Sequence, residues 1–243
     1  MTIAAELALA NHILYDQGIV DAFGHVSVRD PADPRRFLLS RNMAPPLVDA
    51  ADILPFALDG RPDLAAPPPV YLERFIHAAI YAARPDVQAV VHSHAPSILP
   101  FGAVPGAALC PICHMGGFIP PQTPIFEIRD AGGPATDMLI RTEALGAALA
   151  RTLGSHALVL MRGHGMTVVG GDLRQAVFRS VYVETNARIQ LAAQSLGPPA
   201  FLNPDEASAA DAANVGQIGR AWDFWALKAT LAVQPLRAAA GRA

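Results

Sequence analysis

Ala89-Val-Val-His-Ser-His-Ala95 is an apolar run that ends in two histidines one residue apart. Residues 87–91 are largely apolar, which suits a buried strand. Side chains alternate along a strand, so His92 and His94 point to the same side. Two imidazoles on one face at the end of such a strand are two legs of a metal site. In a chain with 8 histidines the pair alone is a weak signal. It gains weight only from further donors.

His164 is the third donor. It sits in Arg162-Gly-His-Gly165, directly after the apolar run 157–161. Glycine on both sides lets the backbone turn sharply and approach closely at a strand end. Glu73 is the fourth, in the first turn of an amphipathic helix that precedes the His-x-His strand. A carboxylate is favoured there by the helix dipole whatever its function. Three neutral imidazoles and a carboxylate nevertheless make a set for a divalent metal, with room left for substrate. Glu73 is read either as a ligand or as the acid/base beside the ion.

Composition narrows the class. The 243 residues are 52% hydrophobic and 16% charged, enough for a large core. Net charge is -3 and Lys228 is the one lysine, so a nucleic acid or acidic membrane is not an expected partner. Apolar runs fall short of membrane-span length and the N-terminus lacks a basic leader, so a cytoplasmic protein is expected. Helical spacing is expected over residues 3–17, 71–83, 96–101, 138–153 and 172–195. Residues 24–30 and 36–41 read as a hairpin, 157–161 and 166–169 as strands, and 125–128 as a short strand. With no repeat and no linker, residues 1–243 are expected to be a single domain. A helical extension is expected from about 200, with a disordered tail over 238–243.

The chain resembles the class II aldolase/adducin family. The resemblance rests on Gly24-x-Val-Ser-Val-Arg29, Ala51-Asp-Ile53, Glu73-x-x-x-His77, Ala83-Arg-Pro-Asp-Val-x-Ala-Val-Val-His-Ser-His94 and Gly163-His-Gly165. It spans the first helix to the long helix ending near Ser195. It implies an α/β fold, a three-layer α/β/α sandwich around a mixed, largely antiparallel sheet. It puts the metal-binding histidines on His92, His94 and His164 and the metal-proximal catalytic glutamate on Glu73. It also implies one divalent ion per subunit, zinc or manganese before iron or cobalt, and a homo-oligomer, a tetramer first, with sites at subunit interfaces.

Sugar-phosphate aldolases of this family hold phosphate with small donor-rich residues. Here His25 follows Gly24, Arg41 follows Ser40, and Tyr71-Leu72 precede Glu73. Arginine binds a flat carboxylate bidentately, and an aromatic wall suits a planar ring better than a polyol. Ser40-Arg-Asn-Met-Ala-Pro45, Tyr71-Leu-Glu73, His114-Met and Met161-Arg-Gly-His-Gly165 look like the family's metal-dependent decarboxylase branch. That branch acts on 3-hydroxy-2-methylpyridine-4,5-dicarboxylate and dihydroxyphthalates. The resemblance thus implies decarboxylation of a small hydroxylated aromatic carboxylic acid. The expected substrate contacts are Arg41, His25, Ser40, Tyr71, His114 and Arg162, with Arg29 a weaker candidate. An aldolase on a non-phosphorylated or acidic substrate is the alternative. A non-catalytic adducin-like module is disfavoured, because all four donor positions are filled. Cys110-Pro-Ile-Cys-His114 matches a haem-attachment pattern but lacks export context, so two reduced cysteines are expected.

Overall fold

The computed structural model describes residues 1–241. In chain order the elements are α1 (Ile3–Asp16), β1 (His25–Arg29), β2 (Arg36–Ser40), β3 (Ile53–Ala57), α2 (Arg74–Ala83), β4 (Ala89–Ser93) and α3 (Leu99–Ala103). They continue with β5 (Ile125–Phe126), α4 (Arg129–Gly132), α5 (Glu143–Leu153), β6 (Leu158–Met161), β7 (Gly165–Gly170), α6 (Leu173–Leu196), α7 (Pro204–Val215) and α8 (Ile218–Ala239). The strands form one seven-stranded sheet in the order β3-β2-β1-β4-β7-β6-β5. Every pairing is antiparallel except β5 with β6. The sheet is therefore mixed and largely antiparallel, as expected.

Alternation along the strands splits the core in two. Val26, Val28, Val91, Leu158, Leu160 and Val168 face α1, α6 and α8. Phe37, Leu39, Phe56, Val90, Val159 and Val169 face α2 and α5. The result is helix, sheet, helix in three layers. On β1 the residues facing α2 are polar: His25, Ser27 and Arg29, all buried. Arg29 is no surface residue. Its guanidinium donates to the carbonyls of Tyr81, Arg84, Val87 and Pro34, so it closes the C-terminal end of α2, where such carbonyls lack helical partners.

Three local expectations are corrected. The helix expected over 138–153 begins only at Glu143, because Met138 holds a left-handed φ of 74° and Thr142 caps α5 by accepting from the Leu145 N–H at 3.3 Å. The helix expected from 71 begins at Arg74, with Glu73 at its N-cap. The tail expected to be disordered from 238 continues α8 to Ala239, and residues 242–243 lie outside the described residues.

Candidate metal centre

The hydrogen-bond register places His25 opposite His92 across β1 and β4. His92 and His94 leave the end of β4, and His164 stands in the β6–β7 turn. That turn is tight for a steric reason. Gly163 takes a φ of +61°, and a Cβ on Gly165 would lie 2.1 Å from the Ser93 carbonyl oxygen. The glycines therefore bring His164 against the end of β4. Glu73 enters from the start of α2, above the same end of the sheet.

The four side chains converge. His94 Nε2 lies 3.0 Å from the Nε2 atoms of both His92 and His164. Glu73 Oε2 lies 3.5 Å from His92 Nε2 and 3.4 Å from His164 Nε2. The four potential ligand atoms all fall within 4.8 Å of one another. Backbone carbonyls fix the ring orientations. His92 Nδ1 donates to Met166 O at 3.0 Å and His164 Nδ1 to Met138 O at 2.9 Å. A carbonyl can only accept, so Nδ1 carries the proton and the Nε2 lone pairs of the neutral rings face inward. Glu73 Oε1 accepts from the Ile140 N–H at 2.9 Å, which leaves Oε2 for the centre.

These donors fit a divalent cation. Metal–nitrogen bonds of about 2.0–2.1 Å put adjacent nitrogens about 3.0 to 3.4 Å apart, depending on geometry, and the imidazoles already stand near that spacing. Lone pairs so close repel unless a cation or a proton lies between them. Electrostatics agrees. Burial raises the affinity of Glu73 for a proton, but His92 and His164 outweigh burial and hold the carboxyl far below the usual carboxylate range. Burial, then His92 and His164, pushes His94 down to about 4. His164 is lowered by burial but carried upward overall by Glu73.

A cavity of about 320 Å3 opens onto this cluster, lined by Phe23, His25, Met43, Tyr71, Leu72, Glu73, His94 and Leu139 among others. A larger groove of about 430 Å3 between α2 and α5 is walled mainly by alanines with Leu58 and Phe75, and holds no comparable donor cluster. The chemistry therefore belongs to the smaller cavity. His25 packs its ring 4.7 Å from Tyr71 and 5.1 Å from His92. The Tyr71 hydroxyl donates to Met43 O, and Ser40 Oγ lies 3.3 Å behind it. Tyr71 thus braces the 42–44 connector and shows its ring to the cavity.

The other expected contacts stand elsewhere. Arg41 pairs with Asp52 at 2.7 Å. Arg162 pairs with Glu127 and donates to Met138 Sδ at 3.5 Å, outside the lining of the cavity. His114 is exposed beside α7, its carbonyl accepting from Asn214 Nδ2. Cys110 and Cys113 are free thiols. The sequence reading missed the segment at 138–140, which holds both His164 and Glu73 and supplies Leu139 to the cavity wall. It carries no motif, and its apolar spacing mimics a helix.

Known proteins resemble this chain to different depths. The profile of the Class II Aldolase and Adducin N-terminal domain matches residues 5–191. Decarboxylase tropJ of Talaromyces stipitatus is 36% identical over 237 residues, covering 88% of this chain and 89% of that protein. The 3,4-dihydroxyphthalate decarboxylase of Arthrobacter keyseri is 32% identical over 203 residues, covering 79% of this chain and 78% of that protein. An aldolase II superfamily protein from Pseudomonas syringae superposes with a TM-score of 0.77 at 23% identity, over 95% of this chain and 92% of that one. L-fuculose 1-phosphate aldolase superposes at 0.72 with 20% identity, over 86% and 93%. At such identities the two structures speak for the fold alone. Profile, curated relatives and fold agree: the chain belongs to the class II aldolase and adducin family.

Proposed function

We propose that this protein is a metal-dependent carboxy-lyase acting on a small hydroxylated aromatic carboxylic acid, with one divalent ion, zinc or manganese, held by His92, His94 and His164 beside the catalytic carboxylate of Glu73. The observation that carries this reading is the cavity lining. Phe23, Met43, Tyr71, Leu72 and Leu139 line the cavity that reaches Glu73 and His94, and these side chains favour a flat ring over a phosphorylated polyol. The names of the curated relatives support the same class.

A divalent cation held by this donor set would supply Lewis acidity to stabilise the negative charge that develops on the substrate. The chain's own residues do the rest. Tyr71 and His25 set the plane of the ring. Neutral His25 offers a hydrogen-bond donor to a substrate oxygen, and Ser40 supports Tyr71 from behind. The bond to the carboxylate breaks, its electron pair stays on the ring, carbon dioxide leaves, and one proton is taken up at the vacated carbon. Glu73 Oε2, the oxygen free of the Ile140 amide and ionised at rest, is the side-chain atom we assign to accept the substrate hydroxyl's proton on binding and to return it to that carbon. With Arg41 and Arg162 paired to carboxylates and His114 outside the cavity lining, substrate recognition narrows to His25 and Tyr71.

The decisive experiment is carbon dioxide release from a panel of ortho-hydroxy aromatic dicarboxylates by the zinc- or manganese-loaded protein. Release from at least one member, abolished by chelation, is expected. Aldehyde from an acidic sugar substrate with no carbon dioxide from any panel member would transfer the assignment to an aldolase. We take the chain to be one domain with its helical extension from about residue 200. We also take the enzyme to be a homo-oligomer, a reading supported by the exposed Phe224, Leu227 and Leu231 along α8.

A further inference from the structure

Behind the cavity a second polar seam runs into the core. Glu73, His77 and Tyr81 recur at four-residue spacing, so α2 presents them along one face. His25 and Ser27 of β1 meet that face. His25 Nδ1 lies 2.6 Å from His77 Nε2, His77 Nδ1 lies 2.6 Å from Ser27 Oγ, and Ser27 Oγ lies 2.8 Å from the Tyr81 hydroxyl. His25 is 4% exposed, Ser27 and His77 are 0%, and Tyr81 is 1%. Water is thus shut out, and these groups must satisfy one another.

Counting protons sets the direction of the chain. Each of the three hydrogen bonds uses one proton, and a neutral imidazole carries one. If His25 donated to His77, then His77 would donate to Ser27 and Ser27 to Tyr81. The Tyr81 O–H would then point into the core with no side-chain acceptor among the described residues, a penalty of about 1–3 kcal/mol for a buried donor. Among the described residues Ser27 is the side-chain partner of that hydroxyl. In the opposite sense every proton is used: Tyr81 donates to Ser27, Ser27 to His77 Nδ1, and His77 Nε2–H to His25 Nδ1. His25 is left protonated on Nε2, the nitrogen available to the cavity it lines. Arg29 locks the far end, stacked 4.9 Å from the Tyr81 ring centroid and bonded to the Tyr81 carbonyl.

We propose that Tyr81, Ser27 and His77 are positioning residues that fix His25 as the Nε2–H tautomer, and that this neutral donor recognises an anionic hydroxyl or carboxylate oxygen of the ligand beside the metal cluster. The proposal rests on the aromatic-acid reading for its ligand class, and on the hydrogen-bond geometry for its direction.

The test uses metal-loaded protein with 15N-labelled histidine and salicylate as a non-reacting probe. In the wild type, long-range 1H–15N spectra are expected to show His25 protonated on Nε2 and bare on Nδ1. Tyr81→Phe and Ser27→Ala, each of which frees the direction of the chain, should mix the two His25 tautomers and weaken salicylate binding about tenfold. Metal content should not change. Ser27→Thr, which keeps the hydroxyl, should restore both readouts. A wild-type His25 protonated on Nδ1 overturns the proposal. So does unaltered salicylate affinity in a variant whose tautomers have mixed, and so does a wild type that does not bind salicylate. Absence of carbon dioxide release from every dicarboxylate would sink the decarboxylase assignment and leave the tautomer result standing, so the two failures can be told apart.

Discussion

Replacing Glu73 by glutamine separates the carboxylate's charge from its shape. Glu73 is 7% exposed, and its Oε1 accepts from the Ile140 N–H at 2.9 Å. A glutamine carbonyl can keep that bond. The new amide then faces His92 Nε2 and His164 Nε2 where Oε2 stood 3.5 and 3.4 Å away, donating to lone pairs that lack a proton. The metal-free variant should therefore fold as well as wild type, to within about 1 kcal/mol. Metal binding should suffer. A unit charge about 4 Å away is worth about 4 kcal/mol per unit of the ion's charge at an effective dielectric of about 20, so the affinity for a divalent ion should fall at least about a thousandfold. Competition against a chromophoric chelator measures this directly, and melting curves measure it again. At an ion concentration of about 1,000 Kd the wild type gains about 4 kcal/mol, a rise in Tm of about 8–16 °C for a chain of this length. At that concentration the variant should gain only about 1–2 °C. If Glu73→Gln binds metal within about threefold of wild type, Glu73 is no ligand, and a loss confined to kcat would leave it an acid/base alone.

Gly165→Ala should disturb the centre without touching a donor. Its Cβ would lie 2.1 Å from Ser93 O, so β7 must move away from β4 by about 1 Å, at about 1–3 kcal/mol; wild-type Tm and metal stoichiometry together would refute that. His12 is held below its ordinary 6.5 by burial, against the pull of its hydrogen bond to Val48 O, with smaller effects from Arg237 and Asp49. Its folded pKa is depressed, so the unfolded chain binds the extra proton, and stability present above pH 6.5 is lost as pH falls through the folded value. His12→Gln should flatten that limb of the urea-stability profile, and an identical slope in the variant would count against it. Arg41→Ala removes a part-exposed ion pair with Asp52 and should lower stability by about 1 kcal/mol or less while leaving metal content intact. A tenfold rise in KM would return Arg41 to the substrate.

Much of this architecture can be read from side-chain periodicity. The alternating run around His25 and the apolar runs around Phe37 and Val90 give strands of the sheet, and the glycines beside His164 mark a turn that projects a side chain. The donors are legible because imidazoles at strand ends are rare and chemically specific. What stays hidden depends on long-range contact. Arginines advertise carboxylate binding, yet Arg41 and Arg162 find carboxylates within the chain itself, and Arg29 spends its donors on the end of α2. The 138–142 segment has helix-like spacing, and no local signal announces the left-handed Met138 whose carbonyl orients His164. His77 and Tyr81 follow Glu73 at helical spacing, but only the pairing of β1 with β4 shows what lies across from them.

The division of labour around the cluster has a practical consequence. The donors sit in or directly beside regular elements, His92 in β4, His94 just past its end, Glu73 at the N-cap of α2 and His164 in the tight β6–β7 turn, whereas much of the mouth is shaped by connectors at 22–24, 42–44 and 71–72. Anvil and mould are thus separate pieces. Connectors tolerate exchange and insertion far better than strands do. Grafting new connector sequences should retarget the lyase to other ring acids while the ion stays seated, which makes this chain a practical chassis for selecting catalysts one loop at a time.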